Sequence, residues 1–307
     1  MQKIAVVMSV YNGEKYLKEQ VDSVLAQKGI DLELFIRVDG AKDNSASIVK
    51  EYEDSNKNVH FINRDNIVNL GVRDSFLETL KYAFEFGEFD YFSFADQDDV
   101  WLPEKLLKAS ELLNEADNEY KLYFSNKTFV DQNLVKISDE NIKLYNDFLE
   151  ALTSSLASGC TMVFNRRLCE LALTQKVESS MIHDSYVYRL CKCIGGAIVF
   201  DKNSYIQYRQ HGNNVCGIDT CKPYEGSISK NLKNMKQYKS WREEFFTEYN
   251  EKFSDYFTPE AKKYVYYILN YRKKFKCRFK LFFNRRVYKR GLRFTINWWA
   301  KVVLRKL

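Results

Sequence analysis

Hydrophobic and polar positions along the first hundred residues repeat with two periods, one typical of strands and one typical of helices. Short apolar runs predict buried strands at residues 3–9, 32–39, 59–63 and 91–95. The segments between them carry apolar residues at helical spacing and predict helices at residues 14–27, 46–54 and 73–86. Such alternation predicts an α/β fold, in which a largely parallel sheet has right-handed crossovers. The first, second and fourth strands should then end along one edge of the sheet.

The apolar run at 91–95 stops at three carboxylates, Asp96, Asp98 and Asp99, and the apolar pattern restarts after Pro103. Pro103 suits the first turn of a helix, where its missing N–H costs little. The carboxyl edge of an open sheet is where such folds bind ligands, and closely spaced oxygen ligands suit Mg²⁺ or Mn²⁺ holding phosphate oxygens. The alternative is that Asp98 or Asp99 caps the next helix, although one cap does not require three carboxylates.

The chain has 307 residues, of which 45% are hydrophobic and 15% aromatic, enough for one large domain or a domain with an extension. The N-terminal apolar run is too short for a signal peptide and is expected to be the first strand. No run approaches the roughly 18 apolar residues of a spanning helix. We therefore expect a cytoplasmic protein that is not integral to a membrane.

The seven cysteines, an odd number, are typical of a reducing compartment. Cys191, Cys193, Cys216 and Cys221, with His211 nearby in sequence, could form a zinc site. However, the chain contains no C-x-x-C pair, and a free cysteine is often a small buried hydrophobe. Structural zinc is therefore disfavoured.

Charge is distributed unevenly along the chain. Residues 261–307 contain 16 of the 47 Lys and Arg residues and no Asp or Glu, so residues 1–260 carry the remaining 31 cations against all 41 acids. In the same tail, cations are interleaved with apolar residues that include Trp298 and Trp299. This composition is typical of an interfacial helix on anionic lipid, with indoles at headgroup depth. A nucleic-acid partner is disfavoured because the body contains no nucleic-acid module, and a basic helix packed on the body is the second alternative.

Several motifs together carry a family resemblance. Their order along the chain is Ser9-Val-Tyr-Asn-Gly13, Val38-Asp39-Gly40, Asn69-Leu-Gly71, Asp96-Gln-Asp98-Asp-Val-Trp101, Gly159-Cys-Thr-Met, His183-Asp184 and Tyr208-Arg-Gln-His211. The series closely resembles the family-two inverting glycosyltransferases of GT-A fold, a Rossmann-like mixed sheet with helices on both faces. It is most similar to the bacterial branch labelled rhamnosyltransferases. The resemblance covers residues 2–217, which implies a catalytic domain at 1–217 and a mostly helical extension at 218–307, basic from about 261.

The resemblance implies a donor site at the ends of the first two strands. Asp39 matches the carboxylate that accepts the N3–H of uracil or thymine, and Val10, Tyr11 and Asn12 match the loop along that base. The sequence departs from the family at Val38, where a first aspartate is common.

Asp96-Gln97-Asp98 matches the D-x-D motif of the family. The match implies that Asp98 ligates Mg²⁺ or Mn²⁺ directly, that Asp96 faces the ribose and the water shell of the metal, and that Gln97 belongs to the donor site. His211 matches a late histidine that closes the metal site, with a polar residue in a Gly-Asn-Asn turn as the alternative.

Asp184 matches the catalytic base that deprotonates the acceptor hydroxyl. A base opposite the leaving group inverts the anomeric carbon in one in-line displacement. The alternative for Asp184 is a helix cap. His183 is expected beside the acceptor subsite, and Gly159 matches the glycine of the loop beneath the acceptor, where any side chain would narrow the site.

The implied function is a non-processive transfer of one sugar from dTDP-rhamnose or a UDP-hexose to a lipid-linked oligosaccharide. The reaction would serve capsule, O-antigen or other surface polysaccharide synthesis on the inner face of the cytoplasmic membrane. A sugar-phosphate nucleotidyltransferase is the first alternative, but it needs a glycine-rich basic loop after the first strand, and this loop holds only Gly13. The second is a non-catalytic sugar-nucleotide binding protein, against which Asp184 argues.

Overall fold

The computed structural model describes residues 1–145, 147–149, 156–178, 181–211 and 241–307. The first half of the fold alternates strand and helix as predicted. Its elements are β1 (Gln2–Val10), α1 (Leu17–Leu25), β2 (Ile30–Val38), α2 (Ser45–Ser55), β3 (Val59–Phe61), α3 (Val72–Phe86) and β4 (Tyr91–Ala95). These four strands are parallel in the order β3-β2-β1-β4. The predicted parallel half-sheet is therefore confirmed.

The second half of the fold is mixed. Its elements are β5 (Val100–Trp101), α4 (Lys105–Glu115), β6 (Lys121–Val130), β7 (Lys136–Asp139), β8 (Val163–Asn165), α5 (Arg166–Leu173), α6 (His183–Ile194) and β9 (Ala197–Arg209). The full order is β3-β2-β1-β4-β8-β6-β9-β5, with β7 paired to β6. Strand β8 is antiparallel to both of its neighbours, and β5 is antiparallel to β9. The expected Rossmann-like mixed sheet is thus confirmed.

Apolar residues of the central strands face alternately to the two sides of the sheet, and helices cover both sides. Ala5 and Val7 of β1 join the core beneath α3 and α6, whereas Val6 and Met8 join the core beneath α1, α2 and α4. Strands that are buried on both faces read as continuous apolar runs, which is why the sequence pattern revealed them.

Within residues 241–307 the structure describes five α-helices: α7 (Trp241–Phe253), α8 (Pro259–Asn270), α9 (Phe275–Phe282), α10 (Arg285–Tyr288) and α11 (Leu292–Val303). They pack against the part of the fold that contains the sheet. The Tyr249 hydroxyl donates to the Tyr186 carbonyl at 2.7 Å, and the Thr258 N–H donates to the Cys193 carbonyl at 3.0 Å. The C-terminal helices and the sheet-containing part share one buried apolar cluster. The expected helical extension is confirmed, while its proposed boundary at 217/218 lies outside the described residues.

The two tail tryptophans are held by backbone carbonyls. Trp298 is only 3% exposed, and its indole N–H donates to the Leu281 carbonyl at 2.8 Å. Trp299 is half-buried, donates to the Phe282 carbonyl at 2.9 Å and stacks on the Phe282 ring. The expectation that both indoles lie at headgroup depth is wrong for Trp298, because that side chain fills the core. The alternative of a tail that packs on the body is confirmed, and Arg290 pairs with Asp147 at 2.7 Å.

Cys191 and Cys193 lie in the same core. Burial raises the pKa of the Cys191 thiol to about 12, which opposes the thiolate that a zinc ligand requires. Cys216 and Cys221 lie outside the described residues. Among the residues that the structure does describe, no helix combines the length and the apolar character needed to cross a bilayer.

Replacing Trp298 should destabilise the whole protein. Trp298→Ala would leave a cavity between α9 and α11, and the Leu281 carbonyl would lose its hydrogen bond from the indole. We therefore expect the free energy of unfolding to fall by about 3–5 kcal/mol. Leu292→Ala, on the same helix but exposed, is the matched control and should change it by less than about 0.5 kcal/mol. Denaturant unfolding followed by circular dichroism measures both variants. Equal stability of the two would contradict the core assignment.

Candidate active site

The ends of β1, β2 and β4 form one edge of the sheet, as the sequence predicted. In the parallel register Met8 lies between Ile36 and Ala95, so Val10, Asp39 and Asp96 follow on neighbouring strands. The Asp39 N–H donates to the Val10 carbonyl at 2.7 Å, which joins the first two strand ends. The structure thus brings together side chains that are far apart in sequence.

Gln97 fastens the loop after β4 to the loop after β1. Its Oε1 accepts from the Tyr11 N–H at 2.7 Å, and its Nε2 donates to the Tyr11 carbonyl at 3.1 Å. A Cβ on Gly13 would lie 2.7 Å from the same Oε1, so a side chain at this position would displace the Gln97 amide. Asn12 has a positive φ of 48°, and its Oδ1 accepts from the Lys42 N–H at 2.8 Å. The side chains of Gln97 and Asn12 therefore set the shape of the loop.

Asp39 is buried, and neighbouring groups hold its carboxylate in place. Its carboxylate accepts from the N–H groups of Leu70 at 2.7 Å and Gly71 at 3.0 Å, and it forms an ion pair with Arg37. Arg37 also donates to the Val68 carbonyl at 2.9 Å. Asp39 thus holds the loop at 68–71 beside the strand ends. The sequence analysis missed Arg37, although its place two residues before Asp39 on a strand indicates the same face.

Asp98 and His211 are in contact, although 113 positions separate them in the sequence. The His211 Nε2 lies 2.8 Å from the Asp98 Oδ2, and both side chains are half-buried. The imidazole stacks on the Tyr16 ring, with centroids 5.2 Å apart. This contact is the one expected if His211 closes the D-x-D site.

Asp96 and Asp99 lie in a crowded acidic environment. Burial, with the charges of Asp98 and Asp184, raises the pKa of Asp96 to about 7. Burial also raises the pKa of Asp99 well above its usual range. Ligand atoms of Asp96, Asp99 and Cys160 all lie within 4.8 Å of one another. One Asp99 oxygen has no hydrogen-bond partner in the described part of the chain.

The helix-cap alternative for Asp98 and Asp99 is wrong. Helix α4 begins at Lys105, its N-cap residue is Glu104, and no side chain caps it. Asp99 instead accepts from the Arg209 N–H at 3.1 Å, while Asp98 contacts His211. Both carboxylates therefore belong to the edge formed with the end of β9.

Arg209 fixes the backbone of the D-x-D segment, a role that the sequence analysis did not assign. Its Nε donates to the Asp98 carbonyl at 2.9 Å, and its Nη1 donates to the Gln132 carbonyl at 2.6 Å. The guanidinium also pairs with Glu19 and lies 4.4 Å from the Tyr16 ring centroid. The available signal was a cation two residues before His211, within the Tyr208-Arg-Gln-His211 motif.

Lys127 is a second cation that the sequence analysis missed. It is buried on β6, donates to the Ser158 Oγ at 2.6 Å and lies 4.4 Å from the centroid of the Tyr208 ring. Its charge opposes the upward shift in the pKa of Asp96. The segment around Lys127 is polar, with Ser125, Asn126 and Thr128 as neighbours, so nothing in the sequence indicated that this lysine is buried.

Asp184 lies in the first turn of α6. One carboxylate oxygen accepts from the Gly159 N–H at 3.0 Å, and the other accepts from the Ser185 N–H. The N-cap position belongs to Ile182, so Asp184 is not the cap residue. The charge of Asp184 acts on Asp96, so the two carboxylates belong to one electrostatic cluster.

His183 lies beneath the Gly159 turn. Its ring is stacked on Phe76 at 3.9 Å and packs edge-on against Phe94, and burial lowers its pKa to about 4. A Cβ on Gly159 would lie 2.9 Å from the His183 Nε2 and 3.3 Å from the Asp184 Cβ. Glycine is therefore needed at 159 for close packing against the start of α6, and His183 is a neutral support for that turn.

The residues present fit a divalent cation. Asp96 and Asp99 offer carboxylate oxygens within 4.8 Å of each other, and one buried Asp99 oxygen has no described partner. Asp98 and His211, in contact at 2.8 Å, could add an oxygen and a nitrogen. Oxygen-rich ligand sets suit Mg²⁺ or Mn²⁺. Positive charge at this position would also relieve the mutual repulsion of the carboxylates.

Solved structures share this fold. S. aureus TarS in complex with UDP-GlcNAc aligns with a TM-score of 0.56 and 16% identity, covering 98% of this chain and 82% of that one. TarS in complex with UDP aligns with a TM-score of 0.54 and 15% identity, covering 88% and 71%. At these identities the likeness concerns the fold.

Sequence relatives are glycosyltransferases. The dTDP-rhamnosyl transferase RfbG of Shigella flexneri is 28% identical over 224 residues, covering 69% of this chain and 74% of the relative. An uncharacterized glycosyltransferase of Rickettsia typhi is 30% identical over 166 residues, and the chain spans about half the length of that relative. The model of the family described as Glycosyl transferase family 2 matches residues 5–171. With more than half of its length matched, this chain belongs to glycosyl transferase family 2 and is a glycosyltransferase.

Proposed function

We propose that the enzyme transfers one sugar from a nucleoside-diphosphate donor to a lipid-linked glycan, with inversion and one addition per acceptor. The observation that carries this proposal is the turn at 159–160, which joins Asp184 to the D-x-D segment: the Gly159 N–H donates to Asp184 at 3.0 Å, and the Cys160 Sγ lies within 4.8 Å of ligand atoms of Asp96 and Asp99. A base and a diphosphate site in one cleft are the two parts that a single displacement needs.

In this mechanism the Asp184 carboxylate takes the proton of the acceptor hydroxyl. The hydroxyl oxygen bonds to the anomeric carbon while the bond from that carbon to the diphosphate oxygen breaks. The Gly159 and Ser185 amides hold both Asp184 oxygens and so fix the direction from which the base acts. A bound Mg²⁺ or Mn²⁺, held by Asp98, Asp96 and His211, would neutralise charge on the leaving diphosphate.

The donor is a pyrimidine nucleotide sugar in this proposal. Asp39, with Val10, Tyr11 and Asn12, would bind the base, because these residues lie together at the ends of β1 and β2. The name of the Shigella relative supports dTDP-rhamnose, and the TarS complexes support a UDP-linked hexose derivative.

The acceptor and location are further parts of the proposal. A lipid-linked oligosaccharide on the inner face of the cytoplasmic membrane fits the basic tail, and capsule or O-antigen synthesis fits the Shigella relative. We assign residues 1–217 to catalysis and residues 218–307 to membrane docking. A sugar-phosphate nucleotidyltransferase is disfavoured because the loop after β1 is closed by Gln97. A non-catalytic protein that only binds sugar nucleotides would not need a carboxylate fixed in place as that of Asp184 is.

Removing the Asp98 carboxylate should abolish metal binding and turnover. We expect Asp98→Asn to lose Mn²⁺ binding in calorimetric titration and to lose transfer activity, while circular dichroism shows an unchanged fold. Asp54→Asn, which removes an exposed carboxylate paired with Lys50, is the matched control and should behave as the parent. Full activity of the parent in excess EDTA would contradict the metal requirement.

Asp184→Asn should slow the chemical step selectively. Asparagine still accepts the Gly159 N–H through its amide oxygen but cannot take a proton, so we expect kcat to fall by about 10²–10⁴ with donor affinity nearly unchanged. Steady-state kinetics and nucleotide titration measure the two quantities separately. A collapse of donor affinity would make Asp184 a binding residue and place the base elsewhere.

Asp39→Ala should weaken UDP and dTDP binding by about 1.5–3 kcal/mol, the range for a hydrogen bond to a charged acceptor, with little effect on GDP. Because Asp39 also anchors the loop at 68–71, Asn69→Ala is the matched control. This substitution removes the hydrogen bond to the Asp39 carbonyl but keeps the Asp39 carboxylate. It should weaken the binding of all nucleotides by the same amount, and by less than Asp39→Ala weakens the binding of UDP and dTDP. Equal affinity of the parent for GDP and UDP would refute pyrimidine recognition.

A further inference from the structure

Helix α9 presents aromatic rings on the side opposite to its buried side. Cys277 and Leu281 point into the core, whereas Phe275, Phe279 and Phe283 are 73%, 48% and 53% exposed. Phe283 is the C-cap residue of α9, and at 3.6 residues per turn positions 275, 279 and 283 lie on the side opposite to positions 277 and 281. We call these three phenylalanines the aromatic face.

The aromatic face is a continuous row of rings anchored in the protein. Centroids are 6.4 Å apart from Phe275 to Phe279 and 4.5 Å apart from Phe279 to Phe283. The row continues through Phe282, 5.0 Å from Phe283, to Trp299, 4.9 Å further. Because the Trp299 indole N–H donates a hydrogen bond to the Phe282 carbonyl, this end of the row is held in place in the free protein.

Rings at this spacing are not the scattered apolar residues of an ordinary surface. Single exposed hydrophobic residues need no explanation, but a contiguous exposed apolar row indicates an interaction site. The row lies on the outward side of a helix, so the surface is convex. A flat or fluid partner suits such a surface better than a protruding peptide.

Cations surround the aromatic face. Lys276 and Lys280 follow the first two phenylalanines directly and are exposed, and so are Arg285 and Lys289 just beyond the third. The whole segment 261–307 contains no acidic residue. Charge complementarity therefore requires an anionic partner, and apolar rings flanked by lysines are the composition of interfacial helices on anionic lipid.

We propose that α9 docks the enzyme on an anionic bilayer, with the rings of Phe275, Phe279 and Phe283 entering the headgroup region. Lys276 and Lys280 contact the phosphate groups of the lipids, and the long stems of these lysines lie along the rings. This inference rests on the proposed function only for the acceptor, because docking would bring the catalytic domain to a lipid-linked substrate.

Vesicle co-sedimentation of the full chain tests the proposal. The parent should bind vesicles of phosphatidylcholine and phosphatidylglycerol more tightly than vesicles of phosphatidylcholine alone. The triple variant Phe275→Ser, Phe279→Ser, Phe283→Ser should lose at least tenfold in affinity, because its three sites are exposed and the core is untouched. Lys276→Gln and Lys280→Gln should each weaken binding to the anionic vesicles by about fivefold, and salt should abolish that contribution.

Two exposed tyrosines away from the tail provide the matched control. Tyr82→Ser with Tyr256→Ser removes two exposed aromatic rings, 44% and 51% exposed, and should leave vesicle binding unchanged. Vesicle binding of the triple variant equal to that of the parent would overturn the proposal. So would a parent that is oligomeric without lipid and a triple variant that is monomeric, since the aromatic face would then join copies of this chain.

Catalysis is measured separately, so that failure of the proposed function can be recognised. Donor hydrolysis by the triple variant in solution should equal that of the parent, and Asp184→Asn should bind vesicles as the parent does. An enzyme inactive with every nucleotide sugar would refute the proposed function and leave the vesicle result standing. Normal donor hydrolysis with unchanged vesicle binding in the triple variant would refute only the docking surface.

Discussion

The candidate site depends on balancing four carboxylates at one partly buried edge. Asp96, Asp98, Asp99 and Asp184 contribute to one electrostatic cluster, and burial with mutual repulsion raises the pKa of Asp96 to about 7. Charges of one sign removed from water destabilise a fold unless opposite charges and donors are fixed nearby. The arrangement of the second half of the sheet follows from this requirement.

Strands β6 and β9 supply the opposing groups. Lys127 comes from β6, Arg209 ends β9, and His211 follows two residues later. These two strands are paired in parallel, while β8 separates β6 from β4. The cations near the acidic edge therefore come from two strands that lie beyond the antiparallel strand β8, Lys127 from within β6 and Arg209 from the end of β9. Arg209 then holds the Asp98 carbonyl, so the position of the D-x-D backbone depends on a strand more than a hundred residues later.

The parallel half of the fold could be predicted because its information is local. Strands buried on both faces are continuous apolar runs, and the residues that end them are polar. Strand β5 could not be predicted, since two residues carry no period and their pairing with β9 is set by tertiary contact. The motifs identified Asp98, Asp184 and His211, whereas Arg37, Lys127 and Arg209 were missed because a cation on a strand indicates neither its depth nor its partner.

The tail shows the same limit in another form. Composition revealed a segment rich in aromatic residues and cations but could not say which rings face the core, because α9 carries apolar residues on several sides. The structure separates them, with Trp298 in the core and the aromatic face in solvent. Packing on the body and docking on lipid are therefore compatible roles of one segment. Since Val265 of α8 and Leu281 of α9 share a core with Tyr186 and Val187 of α6, a bilayer held by α9 would also fix the position of the helix that carries Asp184.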